Sequence, residues 1–156
     1  MKMITWNVNS VNVRQVHLEE LLKDVKPAIV GLQELKCETA MFPYDAVKAL
    51  GYHAIASGQK AYNGVALISQ IEPKDVEIQL PNFEDDQQRL IAATIGDYRV
   101  INVYVPNGQE VDSEKYEYKL KWLAAFHDYL KDALDKYENV VVMGDFNIVP
   151  KDEDVY

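Results

Sequence analysis

Five side chains with oxygen or amide groups stand where an expected strand gives way to a loop. They are Asn7 after Met1–Trp6, Glu34 after Ala28–Leu32, Tyr104 near the end of Tyr98–Val105, and Asp145 with Asn147 after Asn139–Met143. These types suit chemistry on a phosphate ester. Magnesium prefers oxygen ligands, keeps several waters, and is often held by one or two carboxylates plus substrate phosphate, so Glu34 could supply the main anchor. Asn7 can orient a carboxylate, a metal-bound water or a phosphate oxygen without adding charge, and the Tyr104 hydroxyl can bond a phosphate oxygen. Asp145 and Asn147, two apart, project toward one point if the loop between them is extended.

Each of these residues also has a plain structural reading. Taken alone, Glu34 suits a helix cap or salt bridge, Asn7 a turn, Tyr104 half-buried strand packing, and Gly144-Asp-Phe-Asn147 an Asx turn. Asn107 is either a turn residue or a nucleic-acid contact. Gln59, Lys60, Tyr62, Asn63 and Arg89 could reach backbone phosphates, although a solvated surface position is the simpler account of each. His17 and His127 fall in expected helices and His53 in a strand, without zinc spacing. The sequence contains no Gly-x-Ser-x-Gly, Walker loop or dinucleotide fingerprint.

The elements that must position these groups are readable from periodicity. After the first strand, Asn12 is a plausible cap for a helix over Val13–Val25, with Val16, Leu18, Leu21 and Leu22 as its apolar positions and Pro27 ending it. Ala28–Leu32 is a short continuous apolar run, the pattern of a buried strand. Pro43–Leu50 makes a short helix stopped by Gly51. Tyr52–Ser57 and Val65–Ser69 are strands joined by a polar turn, and Leu90–Ile95 and Tyr98–Val105 flank a two-residue Gly96-Asp97 connection. Pro81–Gln88 is an acidic solvated loop. Ser113 or Asp112 caps the longest helix, running to about Tyr137, with Tyr116, Leu120, Leu123, Phe126, Leu130 and Leu134 as its core stripe. Hairpins mixed with packed helices point to a mixed α/β sandwich rather than a regularly alternating parallel fold.

A chain of 156 residues, 48% apolar and 26% charged, suits a single globular domain spanning residues 1–156. It lacks a membrane-length apolar run and a signal-peptide core, and its single cysteine, Cys37, permits no internal disulfide; it is read as cytoplasmic. The net charge of −9 counts against a simple phosphate-neutralising DNA binder. A carboxylate-rich metal site or a basic face on an acidic protein would weaken that objection.

Thr5-Trp-Asn-Val-Asn-Ser10, Leu32-Gln-Glu-Leu-Lys36, Tyr62-Asn-Gly-Val-Ala-Leu67, Ile101-Asn-Val-Tyr-Val-Pro-Asn-Gly108 and Gly144-Asp-Phe-Asn147 occur in an order that resembles the exonuclease III family of DNA-repair nucleases. The resemblance implies a four-layered α/β sandwich of the DNase I-like type, with a divalent-metal site at one end of two packed sheets. It also implies cleavage of double-stranded DNA beside abasic sites, with 3′-to-5′ exonuclease and 3′-end-trimming activity, using Mg2+ or Mn2+ and no membrane. Asn7 and Glu34 then match the metal-site pair, Tyr104 the phosphate-contacting tyrosine, and Asp145 and Asn147 the Asp-x-Asn of the catalytic loop, shared between metal and water. Asn107 matches a substrate-facing position and Arg89 a basic one, with Tyr62 and Lys60 as further DNA or phosphate contacts.

The sequence departs from that family pattern at its end. It has no Asp-His pair, where family members carry a further aspartate and a terminal Ser-Asp-His. The expectation is therefore a truncated sandwich, about the first three-fifths of a family member, that is inactive or nearly so by itself. Two other functions remain open: a superfamily phosphodiesterase acting on phosphoinositides or sphingomyelin, and a non-catalytic piece that binds DNA or protein.

Overall fold

Parallel neighbours in a sheet require a crossover of a dozen or more residues, and the chain makes one such crossover in each of two sheets. In the computed structural model, which describes residues 1–154, β1 (Met3–Asn7) passes through α1 (Gln15–Asp24) to its parallel neighbour β2 (Ile29–Gln33). Between the crossovers come α2 (Tyr44–Ala49), β3 (His53–Ser57), β4 (Val65–Ser69), β5 (Lys74–Glu77) and β6 (Leu90–Ile95). The second crossover joins β7 (Tyr98–Tyr104) through α3 (Glu114–Lys136) to parallel β8 (Val140–Asp145). Antiparallel pairing supplies the remaining neighbours, giving two four-stranded sheets in the orders β1-β2-β4-β3 and β5-β6-β7-β8.

The sheets pack face to face and each is covered outside by helix. Three apolar layers result, which is the four-layered sandwich expected from the sequence. Val30, Leu32, Ala66 and Ile68 face outward from the first sheet onto Leu18, Leu22 and Val47 of the helices. Ile29, Val65 and Leu67 face inward onto Ile91, Ala93, Ile95, Val100 and Met143. Leu90, Ala92, Ile101 and Val103 face outward onto Trp122, Phe126, Tyr129 and Ala133 of α3. Truncating a core aromatic such as Trp122 to alanine would cost about 3–5 kcal/mol.

Several elements differ from the sequence reading in detail. The helix expected from Asn12 starts later, at Gln15, behind a turn; it has no side-chain cap, and the nearby Ser10 hydroxyl accepts from Val13 N at 3.4 Å. Val16 is exposed, leaving Leu18 and Leu22 as the buried pair. In α3, Ser113 is the cap, accepting from Tyr116 N at 3.2 Å. Its buried stripe is Trp122, Phe126, Tyr129 and Ala133, whereas Leu120 and Leu134 are 50% and 66% exposed. Three large rings stacked at centroid spacings of 5.2 and 6.5 Å cover more of the sheet than a leucine stripe could, and they set the rotation of the helix. Edge strand β5 escaped the sequence reading because Lys74-Asp-Val-Glu77 is charged and mostly exposed, a composition typical of edges.

Candidate active site

Parallel pairing within each sheet puts two carboxyl-terminal strand ends side by side, and face-to-face packing brings both pairs to the same end of the sandwich. Asn7 is paired with Gln33 at the end of β1 and β2, and Tyr104 with Asp145 at the end of β7 and β8. Each sheet thus contributes one crossover unit to a common site.

Glu34 follows the last residue of β2 with φ +54, a left-handed conformation that costs a non-glycine residue about 1–2 kcal/mol. Backbone bonds on both sides hold it there. Ser10 N donates to Glu34 O at 2.9 Å and Val11 N to Leu35 O at 3.1 Å; across the other flank Leu35 N donates to Gly64 O at 3.2 Å and Lys36 N to Asn63 O at 3.0 Å. The Tyr62-Asn-Gly segment therefore braces the turn that aims Glu34. On β8 the chain passes so close to β7 that a Cβ on Gly144 would lie 2.1 Å from Val103 O, so only glycine fits before Asp145.

Four of the five residues singled out by type meet through their side chains. Asn7 Nδ2 donates to Glu34 Oε1 at 3.1 Å and to Asp145 Oδ2 at 2.9 Å, bridging two carboxylates that come from different sheets. The Tyr104 hydroxyl donates to Glu34 Oε1 at 2.5 Å. Asn147 is adjacent but turned aside: its Nδ2 donates to Val105 O at 2.7 Å, and its backbone N–H donates to Asp145 Oδ1 at 3.1 Å. The Asx turn is thus real, and it fixes the Asp145 carboxylate that faces Asn7. Lys119, which the sequence reading missed, donates to Asn147 O at 2.8 Å and ties the loop to α3.

Burial by itself would raise the Glu34 carboxyl. The hydrogen bonds from Tyr104 and Asn7, with Lys36 nearby, outweigh it and hold Glu34 below the usual carboxylate range. Tyr104 is pushed the other way, well above the usual phenol, by burial first and then by its bond to Glu34. It is a neutral donor at any physiological pH.

Arg89 lies behind this tyrosine. Its Nη1 donates to Tyr104 O at 3.1 Å and its guanidinium sits 4.9 Å from the Tyr104 ring centroid and 5.9 Å from that of Tyr118. Two open clefts flank the site. One of about 390 Å3 is lined by Gln59, Tyr62, Asn63, Arg89, Tyr104 and Asn107 among others, and one of about 560 Å3 by Asn7, Gln33, Asn107, Asp145 and Asn147 among others. Asn107 borders both, its Oδ1 accepting from Gln109 N at 3.1 Å. Lys60 lines neither cleft: the turn it belongs to is held at Asn63 and Gly64, which leaves its tip in solvent. The histidines are exposed and line neither cleft.

Glu34 and Asp145 bring two carboxylates together beside the Tyr104 phenol, with Asn7 turning its Nδ2 to both and its Oδ1 to Asn9 N. Two carboxylates share one neutral amide donor, and the nearest cation, Lys36 Nζ, is 3.7 Å from Glu34 Oε2. A hard divalent cation fits that set and its uncompensated charge. A cluster of three or more His, Cys, Asp or Glu is absent among the described residues.

Comparison with known proteins agrees with this geometry. Residues 4–156 match the Endonuclease/Exonuclease/phosphatase family. The chain is 38% identical to exodeoxyribonuclease III of Haemophilus influenzae, over 99% of this chain and 60% of that protein. Among solved structures it resembles a 3′ phosphatase from Neisseria bound to a product DNA hairpin, with a TM-score of 0.94 and 47% identity over 97% of this chain and 60% of that one. It also resembles an AP endonuclease from Archaeoglobus fulgidus, with a TM-score of 0.90 and 42% identity over 98% of this chain and 60% of that one. The chain thus spans about 60% of the length of each.

Proposed function

The chain belongs to the endonuclease/exonuclease/phosphatase family, and from that premise we propose that it carries the metal and phosphate half of a DNA-repair nuclease site of the exonuclease III type. The reaction is hydrolysis of a DNA phosphodiester, beside an abasic site or at a 3′ end. The observation that carries this reading is Asn7 Nδ2 bonded at once to Glu34 and Asp145, since it puts two carboxylates of different sheets on one point. The nucleases of this family are metal-dependent, and Mg2+ is the ion best matched to a site of few carboxylates; Mn2+ would fit the same oxygens.

Glu34 and Asn7, together with Asp145, would hold the cation. A divalent ion bound there would offset the charge that builds on phosphoryl oxygens as the ester bond breaks. Asp145, fixed by the Asn147 N–H, orients the attacking water and accepts its proton. Tyr104, neutral and already aimed into the site, donates to a phosphoryl oxygen, and the Asn147 amide reaches the same group by leaving Val105 O. Tyr62, Arg89 and Asn107 line the approach to Tyr104, where DNA flanking the reacting phosphate would lie; Lys60 at the loop tip could meet phosphate farther along the strand. Such a protein would work in the cytoplasm, on duplex DNA, without a membrane.

The test is binding and nicking of a duplex with one abasic site, with Mg2+ and with chelator. Mg2+-dependent binding that Glu34→Gln and Asp145→Asn both lose supports the reading, with cleavage slow in the 156-residue chain, which has no Asp-His pair. Binding that needs no divalent ion and ignores both substitutions would overturn it.

A further inference from the structure

The inner faces of both sheets are largely apolar, and among their few buried polar side chains Asn102 and Gln33 bond to each other across the layer. Asn102, fully buried on β7, donates from Nδ2 to Leu32 O at 2.9 Å and to Ala66 O at 2.8 Å, two carbonyls of the opposite sheet. Its Oδ1 accepts from Gln33 Nε2 at 2.7 Å, and that nitrogen also reaches Thr5 Oγ1 at 3.0 Å and Gly31 O at 3.2 Å. One side chain of the second sheet is therefore bonded to three strands of the first, directly to β2 and β4 and through Gln33 to β1. The surrounding residues, Ile29, Val65, Leu67, Val100 and Met143, make no directional contact and would tolerate sliding of one sheet over the other.

Gly31 supplies an independent observation. A Cβ there would lie 2.6 Å from Met143 Sδ and 3.0 Å from Asn102 Cγ, so a fully buried strand gives up a side chain at the place where Asn102 crosses. Glycine in a strand interior forfeits packing and entropy, and the loss is offset here by room for the amide.

Gln33 immediately precedes Glu34, and Asn102 stands two residues before Tyr104, on the same face of β7. At about 3.3 Å of rise per strand residue, slippage between the sheets by even a fraction of a residue would part Tyr104 from Glu34. We propose that Asn102, acting through Gln33, is a positioning residue: a buried amide strut that fixes the offset between the two sheets and thereby sets the Tyr104–Glu34 contact and the cation site around it. The proposal rests on the reading of Glu34 and Tyr104 as working groups only for its metal readout. Polar groups that set register in an otherwise apolar core act in this way elsewhere.

The test compares wild type with Asn102→Leu, which keeps bulk and removes both ends of the strut, and with Gln33→Met, which leaves the Asn102 bonds to backbone. Ile95→Ala is the control: it opens a cavity in the same layer at the far end of β6. Crystal structures report the Tyr104 hydroxyl to Glu34 distance, and titration with Mn2+ alone, followed by the loss of free-ion paramagnetic resonance, reports the site. Folded Asn102→Leu and Gln33→Met proteins should show that contact opened beyond about 3.5 Å and Mn2+ affinity reduced by about 10–100-fold. Ile95→Ala should keep both despite its lower melting temperature. A folded strut variant that retains the contact overturns the proposal, whatever its metal affinity. If wild type binds no Mn2+ but the contact still opens in the variants, the strut stands and the metal reading falls.

Discussion

The Tyr104 hydroxyl donates to Glu34 Oε1 at 2.5 Å across the gap between the two sheets. The same contact lowers one pKa and raises the other: Glu34 is held ionised and Tyr104 protonated. Tyr104→Phe removes the donor and keeps the ring beneath Arg89. A hydrogen bond to a charged group contributes about 1.5–3 kcal/mol, so the melting temperature should fall by several degrees with the fold intact. Mg2+-dependent cleavage should fall by about 100-fold, in kcat rather than KM, because the donor serves charge that develops in the transition state. An unchanged kcat would remove Tyr104 from the chemistry.

The lowered Glu34 pKa gives stability a sign with pH. A carboxyl whose folded pKa lies below its ordinary value of 4.5 contributes stability that is present above that value and is lost as pH falls through the folded pKa. Glu34→Gln has no such titration. Melting curves from pH 7 to pH 3 should therefore show wild type losing its advantage over Glu34→Gln progressively below about pH 4.5. A constant difference across that range would mean that Glu34 is not held ionised by its neighbours.

Gly31→Ala tests the room made for Asn102. The added methyl would sit 2.6 Å from Met143 Sδ, whose thioether can move, and 3.0 Å from Asn102 Cγ, which is held by its bonds. Overpacking of this kind costs about 1–3 kcal/mol. Denaturant unfolding should show a lower midpoint with an unchanged slope, and in a double-mutant cycle Met143→Ala should cost less in the Gly31→Ala background than in wild type. Strict additivity of the two changes would place the strain on Asn102 alone.

Strand ends were legible in the sequence because apolar runs stop there, and that is why Asn7, Glu34, Tyr104 and Asp145 could be picked out before their contacts were known. Their convergence was not legible from periodicity: it depends on two parallel crossovers lying in different sheets, and pairing between sheets leaves no local signal. The motif order resembling a known nuclease family supplied what periodicity lacked. Asn102 was read only as part of the strand Tyr98–Val105, and Gly31 passed without comment inside Ala28–Leu32. A lone amide in one buried strand and a lone glycine in another were the available signals, and each acquires meaning only beside the other. The α3 stripe was partly legible: Leu123, Phe126 and Leu130 do pack on the sheet, whereas Leu120 and Leu134 share their helical spacing but stay exposed because Trp122 and Tyr129 beside Phe126 turn the helix.

Asn7→Asp gives the sharpest separation of a cation site from a purely structural polar cluster. Asn7 Nδ2 now supplies the donor shared by Glu34 and Asp145, at 3.1 and 2.9 Å. Aspartate would replace it with a third carboxylate, leaving two acceptors without their donor and adding like charge. Without metal the variant should lose about 1–3 kcal/mol, and at about 2–4 °C per kcal/mol for a chain of this size its melting temperature should drop by several degrees. A divalent cation reverses the balance, since it is attracted by the added charge and binds the native state alone. At a free concentration 100 times its dissociation constant it would restore about 2.7 kcal/mol. Thermal melts in chelator and in Mg2+ should therefore show a larger rise for Asn7→Asp than for wild type. A variant that stays destabilised at every Mg2+ concentration would show that Asn7, Glu34 and Asp145 form a hydrogen-bonded brace and hold no ion.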